Sequence, residues 1–191
     1  MRQMHRHPGP NIAAGTTTII RMDRTTILSS ASFSIEGMRE ILDRTPRVLR
    51  ELLAGLSDDW TGHNEGADTW SPYDVLGHLV HGEKAEWMTR IKKCLSTDDK
   101  AFLKFDRTAM FEESAGKPLA QLLDEFELFR RRNLEELRGL GLSEEDLDSI
   151  GVHPTFGEVR LRQLLATWAA HDLAHLTQIA RVRCKQYREE L

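Results

Sequence analysis

The sequence predicts an all-α protein: an antiparallel four-helix bundle with short extra helices and a disordered N-terminal tail. Three observations predict it. From Ser34 onward apolar residues recur at steps of three and four, the period of a helix packed on one face. Ser or Thr followed by Pro, and paired glycines, punctuate that pattern where helices should start and stop. Strand-type alternation is absent beyond the tail. With 191 residues, 40% of them hydrophobic, the chain can bury one sizeable core. We divide it into a tail over residues 1–33 and a bundle over residues 34–191.

The elements follow in order. Residues 1–24 carry four arginines against the single acid Asp23, a net +3 that leaves −7 for the remainder. This stretch is rich in Thr, Gly and Pro and lacks helical periodicity. A weak transit-like peptide, an overextension ahead of a later start at Met22 or Met38, and a mobile tail all fit it; we read it as a tail. Thr45-Pro46 is a cap and first-turn pair, opening a helix through Val48, Leu49, Leu52 and Leu53 that stops near Gly55. Gly62 to Thr69 reads as a polar loop. Ser71-Pro72 repeats the cap signal and starts a second helix that runs to Leu95. Residues 96–117 form a loop with a turn of helix around 109–113. Pro118 opens a third helix, with Leu119, Leu122, Phe126, Phe129 and Leu137 on one face and Gly139 and Gly141 ending it. Ser143 caps a short helix. His153 to Gly157 is an irregular approach to the last helix, which spans residues 158–188.

Composition excludes several functions. No apolar run approaches the roughly 20 residues that cross a membrane. The net charge of −4 points to neither nucleic acid nor a membrane surface. The two cysteines, Cys94 and Cys184, are far apart and lack CxxC spacing, so no disulfide framework or thiolate zinc site is indicated. That usage fits a reducing cytoplasm. The expected partners are a small-molecule substrate and, as a homodimer, a second copy of the chain.

Chemistry enters at the last helix. Leu161, Leu164, Trp168, His171, His175, Gln178 and Val182 follow one another at steps of 3, 4, 3, 4, 3 and 4, the seam of a packed helix. Its middle holds two histidines and a glutamine. A polar group withdrawn from water without a partner costs about 1–3 kcal/mol, so this trio requires compensation. A metal ion held by His171 and His175, one turn apart on the same face, would provide it. Two histidines bonded to backbone or to each other would provide it as well. A metal therefore needs a third ligand from elsewhere.

The second helix offers His78 and His81. His78 lies on a stripe of small side chains with Val75, Gly82 and Ala85, which lets another helix or a ligand approach closely. His81 lies about 60° around that helix and reads as a rim or surface residue.

Three segments resemble the DinB-like (DinB/YfiT-like) putative metalloenzyme family. They are Trp70-Ser71-Pro72-Tyr73-Asp74-Val75-Leu76-Gly77-His78-Leu79, then His153-Pro154-Thr155-Phe156-Gly157-Glu158-Val159, then His171-Asp172-Leu173-Ala174-His175-Leu176-Thr177-Gln178-Ile179. The resemblance covers about residues 36–188, and it lies in the order and spacing of the three together. It implies a four-helix bundle with a divalent metal at one end, zinc or nickel, held by His78, His171 and His175. Two departures stand out. Arg160 and Arg162 flank the start of the last helix where a capping Ser or Thr is usual, and the chain ends at Leu191 where members of the family continue.

Three neutral imidazoles with an open position describe a catalytic metal rather than a structural one, able to lower the pKa of a water or a thiol. His171-Asp172-Leu173-Ala174-His175 is not the His-Glu-x-x-His of zinc proteases, and Asp172 points about 100° away from His171, so it is not assigned as a base. Gln178 is placed as a partner orienting a ligand histidine, and Glu83, Asp106 and Arg107 as substrate-facing groups. The resemblance implies a thiol-dependent S-transferase acting on small electrophiles with a low-molecular-weight thiol as co-substrate. A metal-dependent hydrolase and a non-catalytic, stress-associated metal-binding protein are the alternatives. A fourth protein ligand such as His81 would close the site and favour the last of these.

Overall fold

The computed structural model describes residues 33–187. The expected tail falls on residues outside that range, apart from Phe33, which packs against the core. Helix α1 spans Ile35–Leu53 and opens at Ser34, whose hydroxyl accepts from the Gly37 amide at 3.0 Å. Met38, Leu42, Thr45, Leu49 and Leu53 form its buried face. The start expected at Thr45-Pro46 is therefore corrected: Pro46 lies inside the helix. Pro46 has no N–H to donate to the carbonyl four residues back, which is that of Leu42. Arg130 fills the vacancy, its Nη1 donating to Leu42 O at 3.0 Å.

The short helix α2 (Asp58–Thr61) leads to α3 (Pro72–Ala85), capped reciprocally by Ser71 and Asp74. After a bend at Glu86 the chain continues as α4 (Trp87–Leu95). The expected turn of helix is α5 (Ala109–Ser114), and α6 spans Leu119–Gly139. A 3₁₀ turn at Asp146–Asp148 follows, where Ser143 Oγ and Asp146 exchange hydrogen bonds.

The approach to the last helix is not irregular. It is a hairpin of β1 (Ile150–His153) and β2 (Gly157–Arg160), paired antiparallel from Ile150 opposite Arg160 to His153 opposite Gly157. Four-residue strands are too short to show alternation. Their pairing depends on a three-residue loop closed by Gly157 at φ +72°, a conformation that glycine adopts without strain. A Cβ at Gly151 would meet the Phe102 ring at 2.4 Å and Cys94 Sγ at 2.8 Å, so only glycine lets β1 lie this close to the bundle. Helix α7 spans Leu161–Gln186. Gln163 Oε1 accepts from the Arg160 amide at 2.8 Å, the half of a capping box that needs no Ser or Thr.

Helix α1 packs on α6 and α7, and α3 packs on the same two. The pairs between helices set the directions. Leu42 and Arg50 meet Arg130 and Asp124, so α1 and α6 are antiparallel. His78 and Glu83 meet His171 and Trp168, so α3 and α7 are antiparallel too. Tyr73 and Glu83 meet Lys117 and Arg130, which makes α3 and α6 parallel and explains the long connection between α4 and α6. Two apolar clusters fill the bundle. One is built on Met38, Leu42, Trp87, Leu134 and Trp168, the other on Leu49, Leu53, Leu76, Phe126 and Ile179. Along each long helix polar residues divide the two sets: Thr45, Glu83, Arg130, and His171 with Asp172. No helix among the described residues is long and apolar enough to cross a membrane.

Candidate metal centre

Capping at Ser71 fixes the start of α3 and hence the turn on which His78 faces α7. On α7 the helical period alone sets His171 and His175 side by side. His78 Nε2 lies 3.0 Å from His171 Nε2, which lies 3.1 Å from His175 Nε2. One ligand atom from each residue falls within 4.8 Å of the other two. Aromatic rings enclose the group: Trp70 is 4.9 Å from the His78 ring between centroids, and Trp87 stands edge-on to His171 at 5.2 Å.

These side chains fit a cation that is not a proton. Burial, then His175, Arg107 and His81, push the His78 imidazole down to about 3, and burial with both neighbouring histidines pushes His171 down to about 2. His175 is lowered in the same way by burial, with Gln178 opposing. Near neutral pH three uncharged rings therefore converge their Nε2 atoms. One imidazole N–H can relieve only one of two such contacts. A divalent ion accepting three lone pairs relieves both. Gln178 Oε1 accepts from His175 Nδ1–H at 2.8 Å, which leaves Nε2 as the free lone pair. Nδ1 of His78 and of His171 is buried without a partner among the described residues.

His81 requires a correction. Rather than a rim residue it is buried, 6% exposed, because α5 covers it. Its Nδ1 lies 2.9 Å from Glu113 Oε1, and Lys84 Nζ holds the other oxygen at 2.5 Å. The close approach of α5 depends on Gly77, where a Cβ would meet Ser114 Oγ at 2.4 Å. Turned toward Glu113, His81 is not among the three converging rings.

Glu83 does not face substrate either. It is 4% exposed and, with Asp172, surrounds the Arg130 guanidinium. Arg130 Nη2 donates to Glu83 Oε1 at 2.8 Å and to Asp172 Oδ1 at 3.0 Å, and Nη1 donates to Asp172 Oδ2 at 2.6 Å. Trp168 Nε1 and Asn133 Nδ2 donate to Glu83 as well, at 3.0 and 3.0 Å. Burial alone would lower the pKa of Arg130, but the two carboxylates outweigh it and raise it. With its bond to Leu42 O, one guanidinium on α6 thus ties together α1, α3 and α7, meeting α7 at the residue after His171. Sequence reasoning passed over Arg130, although it stands four residues after Phe126 and four before Leu134, a charge on an apolar seam like the histidines of α7.

A cleft of about 1040 Å³ opens over the three histidines. Arg107 lines it, and so does Asp106, whose Oδ1 accepts from Thr108 N at 2.9 Å and Thr108 Oγ at 2.6 Å and builds the turn before α5. His153 lines it at the hairpin, where its Nδ1 accepts from the amides of Thr155 and Phe156 at 3.1 and 3.3 Å. Its role is to shape that loop. Cys94 is buried and its thiol is pushed up to about 11 by burial, so it offers no thiolate.

The fold of one solved structure agrees with this architecture. Residues 41–179 match the DinB superfamily. YfiT from Bacillus subtilis, described as a probable metal-dependent hydrolase with an unusual four-helix bundle topology, is 21% identical, with a TM-score of 0.63 over 79% of this chain and 90% of that one. TT2238, described as a four-helix bundle protein, is 20% identical, with a TM-score of 0.48 over 76% of this chain and 98% of that one. None of the curated proteins compared with the chain matches it. A family match spanning most of the bundle, including His78, His171 and His175, places the chain in the DinB superfamily.

Proposed function

We propose that this protein is a divalent-metal-dependent transferase that joins a low-molecular-weight thiol to a small electrophile, with the metal held by His78, His171 and His175. The observation that carries this reading is the convergence of three neutral imidazoles beneath an open cleft with space for two small molecules. A divalent ion bound there would supply Lewis acidity, favouring the thiolate form of an incoming thiol near neutral pH.

The protein's own residues do the rest. Gln178 orients His175, and Trp70 and Trp87 screen the histidines from water. Of the two carboxylates that line the cleft among the described residues, Glu86 is engaged by Arg90 and Asp106 by its turn. Neither is free to deprotonate a water, which favours a thiol, an easier group to ionise, as nucleophile. Hydrolysis is the second reading, supported by the description of YfiT.

The test is a thiol-plus-electrophile screen of zinc- or nickel-loaded protein with and without chelator, beside a panel of esters and amides. We expect thiol conjugation that depends on metal and on His78. Its advantage over the uncatalysed reaction should grow as pH falls below the thiol's own pKa, about 8.5 for cysteine. Turnover of esters or amides alone would replace the transferase with a hydrolase, and a loaded protein inert to both panels would leave a non-catalytic metal-binding protein.

A further inference from the structure

The lining of the cleft carries a charge pattern that three histidines do not explain. Its walls are aromatic, with Trp70, Trp87, Phe102, Phe105 and Phe156. Among the described residues three cations also line it. Arg90 is paired with Glu86, whereas Arg107 and Lys104 have no hydrogen bond or ion pair among the described residues. The neighbouring acid does not neutralise Arg107, because the Asp106 carboxylate is turned onto Thr108 and Ala109. The same turn fixes the backbone from which Arg107 projects. Arg107 lines the same cleft as His78, His171 and His175. An exposed guanidinium and ammonium that share a cleft with a site suited to a dication make its potential positive, and an anion arriving there meets complementary charge.

We infer that the substrate taken by this cleft is an organic anion with a flat apolar body, its anionic group received by Arg107 with Lys104 and its body lying against the aromatic wall. The planar fork of Arg107 suits a carboxylate, and the rings supply the low-polarity surface on which a flat body stacks. Arg107 and Lys104 act here as specificity residues. The inference rests on reading the cleft as the substrate site under the proposed function, but it stands apart from which nucleophile attacks.

Calorimetric titration of the full chain, zinc-loaded and after chelation, with 2-naphthoate and the neutral isostere 2-naphthamide tests it, with zinc content measured on the same samples. We expect naphthoate to bind about tenfold more tightly than naphthamide to zinc-loaded protein, and the preference to persist, reduced, after chelation. The double variant R107Q/K104Q should lower the naphthoate-to-naphthamide ratio at least fivefold in both samples, with naphthamide affinity and zinc content at wild-type values. A ratio unchanged in the double variant, or two probes that fail to bind at millimolar concentration, would overturn the inference. Failure of the purified protein to take up zinc would instead defeat the metal reading, while the ratio in chelated protein still decides the anion preference.

Discussion

At the scale of single residues, the three imidazoles act as one unit. His171 lies within about 3 Å of both His78 and His175, so removing any one ring would leave the proposed metal two of its three ligands. We expect His171→Ala and His175→Ala to lose stoichiometric metal while far-ultraviolet circular dichroism stays helical, since Leu161, Leu164, Trp168 and Val182 keep α7 packed. Gln178→Leu should keep the ligands but weaken metal affinity by about 10–100-fold, the usual effect of losing a group that orients a ligand histidine. Elemental analysis and competition with a chromophoric chelator measure both. Unchanged metal content in the two alanine variants would end the assignment.

The same rings predict a pH dependence for metal-free protein. Their folded pKa values are depressed, His78 to about 3 and His171 to about 2, against about 6.5 for an exposed imidazole. Between those limits the unfolded chain binds protons that the native state refuses. Stability is therefore fully present above about pH 6.5 and is lost progressively as pH falls below it. A melting temperature of chelated protein that holds constant from pH 7.5 to 5 would contradict this.

At the scale of elements, Arg130 is the group on which four helices meet. Pro46 leaves a carbonyl open on α1, Glu83 and Asp172 bring negative charge from α3 and α7, and the guanidinium answers all three. Arg130→Met would strand two buried carboxylates and should cost about 3–5 kcal/mol in urea unfolding, the range for breaking a buried ion pair by removing one partner. Adding Glu83→Gln and Asp172→Asn to that variant removes the stranded charges and should recover part of the loss. A single variant within about 1 kcal/mol of wild type would show that the network contributes little.

At the scale of the whole molecule, the polar layer separates two apolar clusters, and the three histidines sit where the layer reaches the surface as a cleft. A ligand that binds only the native arrangement stabilises it by mass action. Zinc at about 100 times its dissociation constant contributes about 2.7 kcal/mol. For a domain of this size that raises the melting temperature by roughly 5–10 °C. Differential scanning fluorimetry with zinc or nickel should show the rise in wild type and not in His171→Ala. An equal rise in both would place the bound ion elsewhere.

What depends on neighbours along the chain is legible in its residues. The three- and four-residue period of α7 sets His171, His175 and Gln178 on one face, and the Ser71 cap fixes where α3 begins. The same local rules misplaced the start of α1. Thr45-Pro46 carries a first-turn signature, but the vacancy Pro46 leaves is filled by an arginine 84 residues away, which no local pattern contains. The hairpin escaped notice because four-residue strands owe their pairing to a loop and to Phe102 beneath Gly151. Burial of His81 and Glu83 was decided in tertiary structure, since it depends on α5 and α6 crossing α3. Periodicity reports that a residue faces inward. Whether it meets a ligand, a counter-charge or a cleft there depends on which distant helix the fold brings opposite, and that is set by packing of the whole chain.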